Sequence, residues 1–149
     1  MKRNDTVLIL VFCLAFCAVT QPLTAQDAAT LVMVVGKGSQ VGQVNRVEAK
    51  KLLTGETSTW SDGQKVIVVL KPVGSPDRAA ILKKICGMTE TTYARYELQA
   101  SFTGETSAVI TVAPSDAAVK ATLKANLGAI GFLHKNDVDD SVKIVFTLD

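Results

Sequence analysis

The sequence predicts a three-layer α/β sandwich, with a mostly parallel sheet covered by helices on both faces, and three features carry that reading. The runs "LVMVVG" and "KVIVVL" are continuously apolar rather than alternating, as strands covered on both sides require. The segments between strands space their apolar residues as helices do, open on a capping side chain and close on glycine. Strand-like and helix-like pieces alternate along the chain, the order that lays helices onto one sheet.

Taken in order, the first strand, residues 31–36, reads as a central parallel strand that ends in the glycine-rich "GKGSQVGQ". Asn45 and Glu48 have capping-box spacing, and Val47, Leu52 and Leu53 give the following helix an apolar side that Gly55 closes. A turn at Asp62-Gly63 leads into a second buried strand, residues 65–70, stopped by Pro72. In "GSPDRAAILKKICG", Ser75 is placed to cap and Pro76 suits the first helical position. Ile81, Leu82, Ile85 and Cys86 form its buried stripe, and Gly87 ends it. A helix from about Thr89 carries Tyr93, Tyr96, Leu98 and Phe102. "SAVITVAP" is a third strand; Ser115 opens a helix with Val119, Leu123 and Leu127 spaced four apart, closed by Gly128. "AIGFLH" and "SVKIVFTL" are the fourth and fifth strands, joined by the polar "KNDVDD".

Residues 1–25 are expected to be a secretory signal peptide. Lys2 and Arg3 precede the apolar run of residues 7–19, and cleavage is expected after Ala25, which leaves one α/β domain over residues 26–149 in the secreted or periplasmic space. Lys2, Arg3 and Asp5 fall in that segment, so the net charge of +2 for the whole chain drops to +1, which argues against general nucleic-acid binding. Cys13 and Cys17 fall in it too; Cys86 alone remains, with no partner for an intramolecular disulfide.

The pentapeptide Thr-Gly-Glu-Thr-Ser occurs twice, beginning at Thr54 and at Thr103. Nothing outside the five residues aligns. Two helix ends using glycine explain it better than a duplicated module or a ligand loop used twice.

The chemistry-bearing residues point to binding rather than catalysis. At "VGSPDR", the Ser75 hydroxyl, the free N–H groups of a helix start and Arg78 in the first turn suit an anion, while Pro76 removes one donor. The structural alternative is that Ser75 only caps its helix, Asp77 answers the helix dipole and Arg78 pairs with Asp77 or solvent. Lys37 and Ser39 in the glycine-rich loop are further donors, in a loop that also reads as a plain connection. His134, the one histidine, reads as an exposed strand end without triad or metal-ligand spacing. Cys86 reads as buried packing, "NDVDD" as a solvated turn, and Trp60 as either a half-buried anchor or a ligand-stacking ring. No cofactor, metal site or enzymatic activity is expected.

The order of these pieces resembles the phosphate-type substrate-binding proteins of ABC transporters, which have the type 2 periplasmic binding fold. "AKKLLTGETSTWSDGQKVIVV" is similar to that family's helix, glycine turn, tryptophan and strand. "GSPDRAAILKKICG" resembles its Gly-Ser helix opening at Gly74-Ser75, "SFTGE" its Phe-x-Gly turn, and "NLGAIGFL" its Pro-Gly-Ala-Ile-Gly-Tyr strand. The resemblance spans residues 31–133 and implies one lobe of a receptor for a small oxyanion such as phosphate, associated with phosphate transport. Gly74, Ser75, Asp77 and Arg78 would then bind the anion, assisted by Lys37 and Ser39. The sequence departs from the family twice: the chain has length for only one of two lobes, and the family's Ser-Gly-Thr is here Ser75-Pro76-Asp77. With one lobe missing, the second wall of the site would come from another copy or from a different exported or membrane protein. A periplasmic interaction module that kept the fold and lost its ligand is the alternative.

Overall fold

The computed structural model describes residues 30–104 and 109–149. The expected signal peptide and most of the second Thr-Gly-Glu-Thr-Ser copy lie outside the described residues. Five strands, β1 (Leu31–Gly36), β2 (Ile67–Leu70), β3 (Val109–Val112), β4 (Ala129–His134) and β5 (Val142–Thr147), form one sheet in the order β3-β2-β4-β1-β5. Helix α1 (Arg46–Thr54) follows β1, α2 (Pro76–Ile81) follows β2 and continues as one π-helical turn (Leu82–Cys86), α3 (Glu90–Thr103) precedes β3, and α4 (Asp116–Ala125) joins β3 to β4.

The α/β class is as the sequence predicts, but the sheet is mixed. β2 pairs in parallel with β3 and β4, whereas β1 is antiparallel to both β4 and β5. The expectation of β1 as a parallel strand therefore fails. A single helical crossover would have returned the chain in the same direction. Here the Asp62-Gly63 turn adds a reversal: Thr59 bridges Lys65 in antiparallel fashion and Trp60 N–H donates to Gln64 C=O. The chain re-enters the sheet at the end where β1 left it.

Alternation along the strands divides the core in two. Met33 and Val35 of β1, Val68 of β2 and Phe132 of β4 pack under α1 and α2, against Leu52, Leu53, Ile81 and Ile85. Val32, Val34, Val69 and Leu133 point the other way, against Val119 and Leu123 of α4. The local signals hold: Asn45 and Glu48 form a reciprocal capping box, Ser75 and Ser115 cap α2 and α4, and Gly55, Gly87 and Gly104 close helices with left-handed backbones. Both described Thr-Gly pairs thus terminate helices.

Some apolar assignments need correction. Val47 lies 65% exposed, because α1 buries only the side that carries Ala49, Leu52 and Leu53. Leu98 and Phe102 are 59% and 83% exposed, so α3 is anchored by Tyr93 and Ala100 instead. Helix α4 ends at Ala125 with Asn126 as its cap, short of Gly128, and leaves Leu127 exposed.

Cys86 is buried on the expected stripe, and burial pushes its thiol up to about 11 against a smaller pull from Lys50. Since the thiolate is the reactive form, labelling by a thiol reagent at neutral pH is expected only after denaturation. Modification of the native protein at the rate of a free thiol would overturn this packing.

Candidate functional site

Three strands, β2, β3 and β4, point their carboxyl ends to one edge of the molecule, and the chain places polar residues there. Leaving β2, Lys71 and Pro72 lead to a tight turn in which Gly74 has φ 87° and Ser75 N–H donates to Pro72 C=O at 3.1 Å. A left-handed backbone of this kind suits glycine. The Ser75 hydroxyl accepts from Arg78 N–H at 3.2 Å, so it caps α2. Past β3, Ser115 and Asp116 open α4 in the same manner. His134 ends β4.

Three cationic or ionisable side chains at this edge, Lys71, Arg78 and His134, each meet a carboxylate. The Lys71 ammonium pairs with Asp116, tying the exit of β2 to the first turn of α4. His134 Nε2 lies 3.2 Å from Asp77, an ion pair once the imidazole carries its second proton. Arg78 does not face outward. Its side chain is buried, its Nε donates to both carboxylate oxygens of Glu90 at 2.9 and 3.0 Å, and Nη1 reaches the carbonyl of Lys71 at 3.4 Å. The guanidinium also lies 5.9 Å from the centre of the Tyr93 ring, whose hydroxyl donates to Leu53 C=O at 2.7 Å. Arg78 therefore joins α2 to α3. The nearby Glu97 carboxyl is raised by burial, with Arg78 acting in the opposite direction.

The sequence-predicted residues separate into two groups. Gly74, Ser75 and Asp77 share the carboxyl edge. Lys37 and Ser39 do not join them, because they follow β1, which runs the opposite way. Leu31 pairs with His134 and Gly36 with Val142, so a six-residue strand, on the order of 17 Å at roughly 3.4 Å per residue, separates the two ends. Ser39 is buried, its hydroxyl accepting from Val41 N–H and its carbonyl from the Lys143 ammonium; Lys37 is exposed. The rest of that loop lines a cleft of about 380 Å³ with Glu48, Leu52 and Trp60. Trp60 is an anchor, its Nε1–H donating to Gly128 C=O at 2.9 Å. A second cleft lies between α1 and α3, lined by Leu53, Ala94 and Leu98. Neither of these two clefts is lined by Lys71, Ser75 or His134.

Sequence reasoning missed Lys71, whose only signal is a basic residue at the end of a buried strand, four positions before Ser75. It also took His134 for an exposed strand end. The structure makes it half-buried, with Asp77 as neighbour. In "NDVDD", Asp139 pairs with Lys120 and accepts from Ser141, which holds its carboxyl well below the usual range.

No known family model matches this sequence, and no curated protein does. The fold, however, is that of phosphate receptors. An ABC-type phosphate transport receptor from Vibrio cholerae superposes with a TM-score of 0.63 at 22% identity, over 78% of this chain and 45% of its own. A Clostridium perfringens protein described as a phosphate ABC transporter substrate-binding protein, with phosphate bound, gives 0.62 at 22% identity, over 78% and 44%. PstS from Borrelia burgdorferi gives 0.60 at 14% identity, over 78% and 46%. The chain thus spans less than half the length of the structures it matches, roughly one lobe.

Proposed function

We propose that this protein is an exported, non-catalytic, solute-binding-like domain that takes a small oxyanion of the phosphate type at the carboxyl edge, in association with phosphate ABC transport. The observation that carries the reading is the placement of Gly74 and Ser75, at the start of α2 and beyond a parallel strand, in a fold shared with a receptor whose structure contains phosphate. Open α/β sheets bind ligands outside the carboxyl ends of their strands. An arriving anion would draw on the helix start and compete with Asp116 for Lys71 and with Asp77 for His134. That competition, with one lobe supplying the donors, sets the affinity near millimolar, equivalent to about 4 kcal/mol. Tighter binding would need a second wall from another copy of the chain or from another exported or membrane protein.

Thermal melts in phosphate, sulfate and chloride at matched ionic strength test this. Anion at ten times its dissociation constant is expected to add about 1.4 kcal/mol, roughly 4 °C, in phosphate or sulfate over chloride. The increment should vanish in Ser75→Ala/Lys71→Ala, compared against that variant's own chloride baseline, since losing the cap alone costs about 1 kcal/mol. A double variant that responds as the parent does would move the site elsewhere. Equal melting in all three salts would favour the second reading, a protein-interaction module that kept the fold and lost its ligand. The specific observation behind that alternative is the carboxylate partner that Lys71, Arg78 and His134 each already have.

A further inference from the structure

Among the described residues three Lys or Arg side chains face a carboxylate and the others do not, Lys37, Lys65, Arg95, Lys124 and Lys135 standing unpaired on separate elements. Lys71, Arg78 and Lys120 each face a carboxylate. On α1 and the π-helical turn the unpaired cations gather: among the described residues, Arg46, Lys50, Lys51, Lys83 and Lys84 are all exposed and none has a carboxylate within ion-pair distance. Burial of Ala49, Leu52 and Leu53 turns the first three outward, and burial of Leu82, Ile85 and Cys86 does the same for the last two. The two segments pack together, and Arg46 Nη1 donates to the Lys84 carbonyl at 2.6 Å, so the cations form one surface. Glu48, the one acid in this part of α1, is folded back on the Asn45 N–H at 2.9 Å. Exposed Val47 sits among the α1 cations.

Helix dipoles account for only part of this. Lys51, Lys83 and Lys84 lie in last turns, where a cation is favoured. Arg46 opens α1, where the dipole disfavours positive charge. Like charges gathered on one surface also repel one another. The arrangement therefore costs stability in the isolated domain, and a partner of opposite sign would recover it.

We propose that this face docks on an anionic phospholipid surface. A bilayer interface satisfies both parts of the patch: headgroup phosphates neutralise the five cations, while Val47 enters the apolar boundary beneath them. A soluble polyanion satisfies only the charge. The surface is separate from the carboxyl edge and does not depend on the anion-binding reading.

The test is sedimentation of the full chain with phosphatidylcholine vesicles, with and without phosphatidylglycerol. The readout is the ratio of the two partition coefficients, which cancels any contribution of the apolar run of residues 7–19 to both. Each cation near an anionic surface is worth roughly five-fold in partitioning, so Lys50→Gln/Lys84→Gln should lower the ratio about 25-fold. Lys124→Gln/Lys135→Gln, with the same net charge and both sites off the patch, should leave it within about two-fold, because at physiological salt screening confines these attractions to about 8 Å. Val47→Ser should lower partitioning to the anionic vesicles while leaving polyglutamate binding unchanged. A ratio near one for the parent, or equal losses in the two lysine pairs, would overturn the proposal. So would polyglutamate binding as tight as the vesicles' together with indifference to Val47→Ser, which would assign the face to an acidic protein.

Discussion

Replacing Arg78 by methionine is expected to destabilise the fold by about 2–4 kcal/mol while leaving the anion-dependent increment in melting temperature intact. Methionine keeps an apolar stem beside the Tyr93 ring but removes the donor on which both Glu90 carboxylate oxygens depend. Breaking a fully buried pair from one side costs about 3–5 kcal/mol, because the remaining charge is stranded. Glu90 keeps 26% of its side-chain surface in water, which lowers the expected figure. Removing both charges, as Arg78→Met/Glu90→Met, should restore most of the loss, since no stranded carboxylate remains. Urea denaturation of the two variants and the parent measures this. A single variant within about 0.5 kcal/mol of the parent would contradict the buried pair. Loss of the phosphate response in a double variant that folds stably would return Arg78 to the anion site.

The contrast between Arg78 and Ser75 shows what the sequence made legible. Ser75, Ser115 and the Asn45–Glu48 box act across three residues, so their partners are visible in the same few letters. Arg78 finds Glu90 twelve residues on, across the junction of α2 and α3, and His134 meets Asp77 from a different strand altogether. Neither partner follows from spacing along the chain. The same limit explains Lys37 and Ser39: the donors were recognisable, but their place depended on the direction of β1. That direction was decided by one extra reversal at Asp62-Gly63, a turn the sequence does signal. It also signals the helix ends, but the order in which successive reversals lie against the sheet is a property of the packed whole.

Gly128→Ala is expected to cost about 3 kcal/mol or more, at the upper end of what overpacking usually costs. A Cβ at this position would lie 2.3 Å from the Lys65 carbonyl oxygen and 3.4 Å from Gln64 Cβ. The nearer obstacle is backbone, which cannot rotate aside as a side chain would. Relief requires moving the strand entry at residues 65–67 away from β4. Two hydrogen bonds hold it there, because the Gly128 carbonyl accepts from both Ile67 N–H at 3.2 Å and Trp60 Nε1–H at 2.9 Å. A shift large enough to accommodate a methyl group therefore weakens the β2–β4 junction and the Trp60 anchor together, and leaves partly buried donors short of an acceptor. Tryptophan fluorescence should report the second effect as a shift toward the solvent-exposed spectrum. Gly42→Ala is the control: a Cβ there meets nothing within 4 Å, and the substitution should change stability by no more than about 0.5 kcal/mol. If Gly128→Ala unfolds at the parent's urea midpoint with unaltered fluorescence, the close approach of the two backbones is wrong, and with it the account of why glycine stands at the entrance to β4.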